Sequence, residues 1–171
     1  MDNQQQQQPS PSMLPPPPAP NSRGIAYVAG PYRALDPDIT LIHIANARMV
    51  ATALWNIGYT VVCPHLNCGG LEHDVDTESV LLPGLLQIMR RCDLVVLAPH
   101  WEHSPGTLCE AWEAMKHAMQ VVVWDWQCGG DHHGDVRYPG WREIEVIRKQ
   151  QVVQEQRQWR IANGSYQHRN V

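Results

Sequence analysis

The residues best suited to chemistry lie in the segment Trp101–Glu110, which reads Trp-Glu-His-Ser-Pro-Gly-Thr-Leu-Cys-Glu. An apolar run at 94–98 precedes it and good helix formers follow it, which predicts a strand, a loop and a helix starting near Gly106. Ser104 stands where an N-cap would stand, and Glu110 falls one turn into the helix. Because parallel sheets hold ligands at the carboxyl ends of their strands, we expect Glu110 to act chemically and Ser104 to bind an anionic or hydroxylated group.

The residue types alone leave two interpretations open for each of these side chains. The helix macrodipole and backbone N–H groups would keep Glu110 ionised, and an ionised carboxylate beside a sugar can attack the anomeric carbon. Glu110 would equally satisfy the start of the helix without any chemistry. Ser104 and Gly106 place a hydroxyl and free N–H groups at a helix N-terminus, which favours an anion, although a bare N-cap explains the serine as well.

Further polar and aromatic residues follow the first two predicted strands. Gly30-Pro31 ends the first strand and leads to Tyr32, which could stack on a ligand ring or cover the core. Arg33 can present a planar fork to a phosphate or carboxylate, or lie solvated in the loop. After the second strand, His65 is either functional or a packed, hydrogen-bonded residue, and Asn67 is either functional or part of a turn. Trp101 and the Asp125-Trp126 pair follow the third and fourth strands. The clustering of such residues at four strand ends indicates a binding site.

The elements that must position these residues alternate between strands and helices. The pattern predicts strands at 24–29, 59–63, 94–98 and 120–124, a loop at 65–77 and a loop at 127–139. It predicts helices from Asp36, as N-cap, to Gly58, over 78–91 with an interruption at Pro83-Gly84, over 107–118, and over 141–157. This alternation specifies an α/β fold, in which right-handed crossovers join a parallel sheet of four to five strands.

Composition restricts the class of protein. The 171 residues suit one domain, 43% of them are hydrophobic, and the net charge of −4 argues against a surface for polymeric nucleic acid. No apolar run is long enough for a membrane span and no signal peptide is evident, so we expect a cytoplasmic protein without a membrane partner. Five cysteines without a CxxC pair signal neither a disulfide framework nor a zinc site.

The ends of the chain and one loop have distinct compositions. Residues 1–22 are rich in Gln and Pro and predict a disordered arm, with a proline-rich ligand for a partner as the alternative. The domain is expected over 23–158, followed by a flexible tail at 159–171. Cys128 and the Asp131-His-His133 cluster have metal-ligand types without a second ligand pair, so we expect no metal site there. Acyl transfer is unlikely because the chain lacks a G-x-S-x-G nucleophile elbow.

Four segments together resemble the nucleoside 2-deoxyribosyltransferase-like superfamily, especially its small phage and bacterial members and the deoxynucleoside 5′-monophosphate N-glycosidases. The segments are Tyr-Val-Ala-Gly-Pro-Tyr-Arg at 27–33, Cys-Pro-His-Leu-Asn at 63–67, Cys-Asp-Leu-Val-Val at 92–96 and Ser-Pro-Gly-x-x-x-Glu-Ala at 104–111. The resemblance spans about residues 24–125. It implies a flavodoxin-like, Rossmann-like three-layer fold and cleavage or transfer at the N-glycosidic bond of a nucleoside or its 5′-monophosphate.

The resemblance also implies roles for individual residues. Glu110 matches the nucleophilic glutamate that takes the (deoxy)ribosyl group. Gly30 and Arg33 match the first-strand loop, where the monophosphate hydrolases use an arginine near the phosphate, and Ser104 matches their phosphate-contacting serine. With these we group Pro31, Tyr32, Asn67, Trp101 and Gly106 as substrate-binding residues, with Tyr32, His65 and Trp101 lining the base pocket. The superfamily needs no metal or organic cofactor, and none is expected here.

One position departs from the superfamily pattern. Leu85 stands where the relatives carry the aspartate thought to protonate the leaving base. Asp74, Asp76 or His65 could serve instead, and we expect Asp76 or His65 to be catalytic. If none serves, the domain would bind nucleotides as a sensor without hydrolysing them. The resemblance further implies a homo-oligomer, for which Trp112 and Met115 on an exposed helix face would be suitable.

Overall fold

The computed structural model describes residues 23–125, 135–140 and 142–149 of the chain. The strands are β1 Ile25–Ala29, β2 Thr60–Val62, β3 Leu94–Leu97, β4 Gln120–Asp125 and β5 Asp135–Arg137. The helices are α1 Pro37–Asn56, α2 Pro64–Asn67, α3 Leu82–Met89, α4 Pro105–Lys116 and α5 over 142–149. Single 3₁₀ turns lie at Leu71–His73 and Trp101–His103, and a π-helical turn lies at Thr77–Leu81.

The five strands form one sheet in the order β2-β1-β3-β4-β5. The first four strands run parallel, with Ala26 opposite Leu94 and Val95 opposite Val121. This is the strand order of the flavodoxin-like doubly wound fold, and it confirms the predicted α/β class. The strand β5 pairs antiparallel with β4, with Val136 opposite Trp124. The prediction of an uninterrupted loop over 127–139 was therefore wrong, because the short return strand has too few residues to show a periodic pattern.

Both faces of the sheet are covered by helices, which gives three layers. Alternate residues of each central strand enter one of two apolar cores, and this explains why these strands read as continuous apolar runs. One core packs against α1 through Ala47, Val50, Ala51 and Leu54. The other contains Met89, Leu108, Ala111, Ala114 and Ile147, which come from α3, α4 and α5. Tyr27 of β1 points into this second core, and it is fully buried.

The ends of α1 are those that the sequence predicts. The Asp36 side chain accepts a hydrogen bond from the Asp38 N–H at 2.9 Å, and Pro37 occupies the first helical position. Gly58 follows the helix with a φ of 96°, a left-handed conformation that costs glycine little. This turn directs the chain into β2 within two residues.

Three local predictions need correction. The segment predicted as a loop at 65–77 contains the short helix α2 and the 3₁₀ turn at 71–73. The helix predicted over 78–91 is a π turn that continues into α3, where Pro83 occupies the first turn and so disrupts no helical hydrogen bond. Trp112 and Met115 do not form an exposed face, since both are partly buried against the second core of the same chain.

Two clusters of ion pairs link neighbouring elements, one between α3 and α4 and the other between β4, β5 and α5. Glu113 of α4 meets Arg90 at the end of α3, and it also pairs with Lys116 at 2.5 Å and His117 at 3.1 Å. Arg137 of β5 pairs with Asp125 at 3.0 Å and with Glu143 of α5 at 2.6 Å. None of the helices in the described ranges is both long enough and apolar enough to span a membrane.

Candidate functional site

The loops that carry the predicted site meet where the strand order reverses. The chain steps from β1 to β2 on one side and later returns to β3 on the other, so the switch point lies between β1 and β3. Ligands of open α/β sheets bind in the crevice outside the carboxyl ends of the strands at such a point. The loop after β1 (residues 30–36, the β1 loop) and the loop after β3 (residues 98–104, the β3 loop), which leads into the N-terminus of α4, follow the carboxyl ends of these two strands.

Glu110 has a partner that the sequence interpretation missed. The Tyr27 hydroxyl donates a hydrogen bond of 2.8 Å to Glu110 Oε1, across 83 residues of sequence. Burial, followed by the charge and hydrogen bond of Glu110, raises the pKa of Tyr27 far above its ordinary value, so the phenol remains a donor. A hydroxyl in the middle of an otherwise apolar buried strand requires a hydrogen-bond partner. That requirement was the only signal in the sequence that Tyr27 contacts another polar side chain.

The ionisation of Glu110 differs from the sequence-based expectation. Burial raises the pKa of the Glu110 carboxyl to about 7, and the hydrogen bond from Tyr27 only partly opposes this effect. The expectation that backbone N–H groups hold it ionised was wrong, because Glu110 lies beyond the first turn of α4, where those groups are engaged within the helix. The residue retains partial contact with solvent. At neutral pH about half of the Glu110 carboxyls are therefore ionised.

Ser104 is the N-cap of α4. Its Oγ accepts a hydrogen bond of 3.2 Å from the Thr107 N–H, as the capping interpretation requires. A Cβ added at Gly106 would meet only the Ser104 Oγ, at 3.9 Å, so the space beside this helix N-terminus is open. Thr107 is buried at 1% exposure, and its Oγ1 has no hydrogen-bond partner among the described residues. The capping role of Ser104 leaves room for a ligand at the same helix end.

The β1 loop is held by a close backbone approach and by His65. A Cβ added at Gly30 would lie 2.9 Å from the Ala98 Cβ, so only glycine fits there without a shift. His65 Nε2 lies 2.7 Å from the Pro31 carbonyl oxygen, and this contact requires Nε2 to carry a hydrogen. Burial lowers the pKa of His65, although the Pro31 contact opposes it, so the imidazole is neutral. His65 thus positions the β1 loop.

Tyr32 and Arg33 connect the β1 loop to the segment that follows α2. The Tyr32 hydroxyl donates to Glu72 Oε1 at 3.0 Å, and its ring meets His65 edge to face at 5.5 Å. Arg33 Nη2 donates to Thr77 Oγ1 at 3.0 Å, and Arg33 is exposed. Glu72 was missed in the sequence, where it stands in a polar segment without periodic pattern. Its contact with Tyr32 brings a second carboxylate to the β1 loop.

The remaining candidates near this loop have structural partners. The Asp76 carboxylate accepts hydrogen bonds from the Ser79 N–H at 2.7 Å and from the Ser79 hydroxyl at 2.6 Å. These bonds lower the pKa of Asp76 and make it the N-cap of the π turn. Asn67 Oδ1 accepts from the Cys63 N–H at 2.9 Å, which is the turn role weighed above. Leu85 is buried in α3.

Trp101 lies on the other side of the β3 loop from the β1 residues. It is buried at 4% exposure and lines a cleft of about 430 Å³ between the β3 loop, the end of β4 and α5. His100 beside it has a φ of 65°, a left-handed conformation uncommon for residues other than glycine. Tyr32, Arg33 and the other residues of the β1 loop are not among the residues that line this cleft.

Several predicted features fall on residues outside the described ranges. These are the N-terminal arm 1–22, Trp126, Cys128, the cluster at 131–133, and the chain beyond 149. Within the described ranges, no three Cys, His, Asp or Glu side chains are grouped as a metal site would need.

The sheet order and its switch point define a flavodoxin-like α/β protein with a partly buried carboxylate at the candidate site. The chain belongs to the DUF4406 family, whose description is "Domain of unknown function" and whose model matches residues 26–123. The match runs from the second residue of β1 into β4, and it therefore includes Glu110, Ser104 and the candidate residues of the β1 loop. Comparison with curated proteins and with solved structures gave no match.

Proposed function

We propose that the protein cleaves or transfers at the N-glycosidic bond of a (deoxy)nucleoside or its 5′-monophosphate, with Glu110 as the nucleophile. The observation that carries this proposal is the contact between Glu110 Oε1 and the buried Tyr27 hydroxyl at 2.8 Å. It fixes one carboxylate oxygen against β1, one of the two strands between which the strand order reverses, and α/β folds bind ligands outside the carboxyl ends of such strands. The motif resemblance to the nucleoside 2-deoxyribosyltransferase-like superfamily supports the same role for Glu110.

Tyr27 and Glu110 would act as a pair in this reaction. The hydroxyl orients the carboxylate and favours its ionised form, since only that form can attack the anomeric carbon. Attack breaks the bond from the anomeric carbon to the base and forms a glycosyl ester on Glu110. Water or a second base then displaces Glu110. Each of the two displacements inverts the anomeric carbon, so the configuration is retained overall.

The sugar and phosphate would bind between the β1 loop and α4. Arg33 is exposed on that loop, and its guanidinium can exchange the Thr77 contact for a bidentate contact with a phosphate. The open space beside Gly106 and the N-terminus of α4 would accept a sugar hydroxyl or a phosphate oxygen. Tyr32 supplies an aromatic face for the base. The roles of His65 and Gly30 are to hold the β1 loop in place.

A panel of deoxynucleosides, ribonucleosides and their monophosphates, assayed for free base, tests the proposal. Glu110→Gln should abolish base release, because an amide is not a nucleophile. Glu113→Gln makes the same substitution one turn later in α4, outside the site, and should retain activity. Base release that persists in Glu110→Gln would contradict the nucleophile assignment.

A second candidate function is a nucleotide-binding module without catalysis. The observation that favours it is Leu85, a buried hydrocarbon where the related enzymes carry their proton donor. Asp76 is engaged with Ser79, and His65 with Pro31, so neither replaces that aspartate in the present conformation. Calorimetric binding of a nucleotide that is recovered intact after long incubation would favour this candidate over the enzyme.

A further inference from the structure

The groups expected to protonate a leaving base are unable to do so in the observed arrangement. Cleavage of a neutral nucleoside leaves a basic nitrogen that needs a proton, and a positioned general acid contributes about 10²- to 10⁴-fold to such steps. A carboxyl serves as that acid when burial keeps it protonated. Near the β1 loop, the side chains that could supply this proton are those of Asp74, Asp76, His65 and Glu72.

Both aspartates after α2 fail this requirement. The Asp76 carboxylate is held by the N–H and the hydroxyl of Ser79, and these bonds lower its pKa. Asp74 is exposed, so it lacks the burial required above. The Asp76 carboxylate, held by Ser79, is a hydrogen-bond acceptor rather than an acid.

His65 and Glu72 fail for different reasons. The proton of His65 Nε2 is directed at the Pro31 carbonyl oxygen, and burial keeps the ring neutral. Glu72 has a lowered pKa, chiefly from a hydrogen bond with its own backbone and also from the Tyr32 hydroxyl. It therefore contributes a negative charge to the β1 loop.

Two tyrosines from the same strand and loop each contact a carboxylate. Tyr27 of β1 contacts Glu110 of α4, and Tyr32, three residues after the end of β1, contacts Glu72. Burial disfavours the ionised form of Glu110, and a positive charge on a nearby substrate would favour that form. The Tyr32 ring offers a face that attracts cations. Arg33 supplies the positive charge on the outer side of the loop, where a phosphate would bind.

We propose that the substrate of this site is an N-glycoside whose base carries a permanent positive charge, such as an N-alkylated purine or a pyridinium nucleotide. This inference rests on the proposed function and names its substrate class. The Glu110 carboxylate forms a bond to the anomeric carbon as the bond from that carbon to the ring nitrogen breaks. The electron pair of the broken bond neutralises the ring, which leaves without needing a proton. Water then hydrolyses the glycosyl ester, and one proton passes to solvent.

Two matched substrate pairs test this inference with the full chain. Guanosine 5′-monophosphate and its 7-methyl derivative differ by one methyl group and one positive charge. Nicotinamide mononucleotide and its dihydro form differ by a hydride, which removes the charge of the ring. Base release is measured by chromatography at pH 6.5 to 7.5 and corrected for the uncatalysed reaction.

We expect kcat/KM to be at least ~10²-fold higher for the charged member of each pair, the size of the missing acid contribution. Glu72→Gln keeps a hydrogen-bond acceptor for Tyr32 but removes a charge, and it should reduce this preference about two- to fivefold. Equal cleavage of charged and uncharged members would overturn the inference while leaving the glycosidase proposal intact. Absence of base release from both pairs and from the nucleoside panel would overturn both proposals.

Discussion

Replacing Tyr27 by Phe removes one hydroxyl and preserves the volume of the buried ring. In the unmodified protein, the hydrogen bond of 2.8 Å from the Tyr27 hydroxyl to Glu110 Oε1 favours the ionised carboxylate. Removing this bond should therefore raise the Glu110 pKa above its present value of about 7. A hydrogen bond to a charged group contributes about 1.5–3 kcal/mol, and 1.36 kcal/mol corresponds to one pKa unit. We therefore expect an upward shift of about one to two units.

The shift can be read from the pH dependence of activity. At pH 7 the ionised fraction of Glu110 should fall from about half to about 1–10%, so kcat/KM for base release should fall about 5- to 50-fold. Activity should recover when the pH is raised by one to two units. Direct titration of the Glu110 side chain by carbon NMR measures the same midpoint without requiring turnover.

Tyr32→Phe is the matched control for this experiment. It removes the same hydroxyl from a tyrosine on the following loop, where the partner is Glu72 and not Glu110. Its pH midpoint should equal that of the unmodified protein. If Tyr27→Phe also has an unchanged midpoint while remaining folded, then the Tyr27 hydroxyl does not set the ionisation of Glu110 and the reasoning above is refuted.

Three further predictions concern stability. Because the pKa of Glu110 is raised, this group contributes stability below pH 4.5 that is lost as the pH rises through about 7. At pH 8 the free energy of unfolding of Glu110→Gln, measured with urea, should therefore exceed that of the unmodified protein by about 1–3 kcal/mol. Burial alone would raise the pKa of Glu113, but hydrogen bonds from two cations lower it to about 2. Glu113→Gln should therefore cost about 1 kcal/mol at pH 7 and only a small part of that at pH 2, and an equal loss at both would refute the ion-pair account. Gly30→Ala should destabilise the fold by about 1–3 kcal/mol, because the added methyl would lie 2.9 Å from Ala98, whereas Gly106→Ala should change stability by less than about 0.5 kcal/mol.

The cleft beside α5 is a separate feature from the site on which these predictions depend. Its lining includes His100, Val123 and Trp124, and no residue of β1 is among the residues that line it. Trp101 belongs to this cleft, so its assignment to the same base pocket as Tyr32 stays a prediction. A loss of nucleotide affinity in Trp101→Leu that matches the loss in Tyr32→Leu, measured by calorimetry, would show that one ligand reaches both.

Much of the fold could be predicted because its determinants are local. The central strands are buried on both faces and therefore read as apolar runs, and the helix caps depend on side chains within three residues of the helix start. Asp36 and Ser104 are caps for this reason. The strand β5 was missed because a three-residue antiparallel strand has neither a run nor a period, and its pairing with β4 decides its conformation.

The sequence by itself determined the α/β class, the ends of α1, the Ser104 cap of α4, and the presence of a carboxylate at residue 110 in that helix. Only the tertiary structure decided what that carboxylate can do. The contact with Tyr27 joins residues 83 positions apart, and the burial that raises the Glu110 pKa comes from packing α4 on the sheet. Likewise, His65 became a support for the Pro31 carbonyl, 34 residues away, through a contact that no local spacing in the chain encodes. Ionisation depends on the surroundings of a group in space, whereas capping and periodicity depend on its neighbours in sequence.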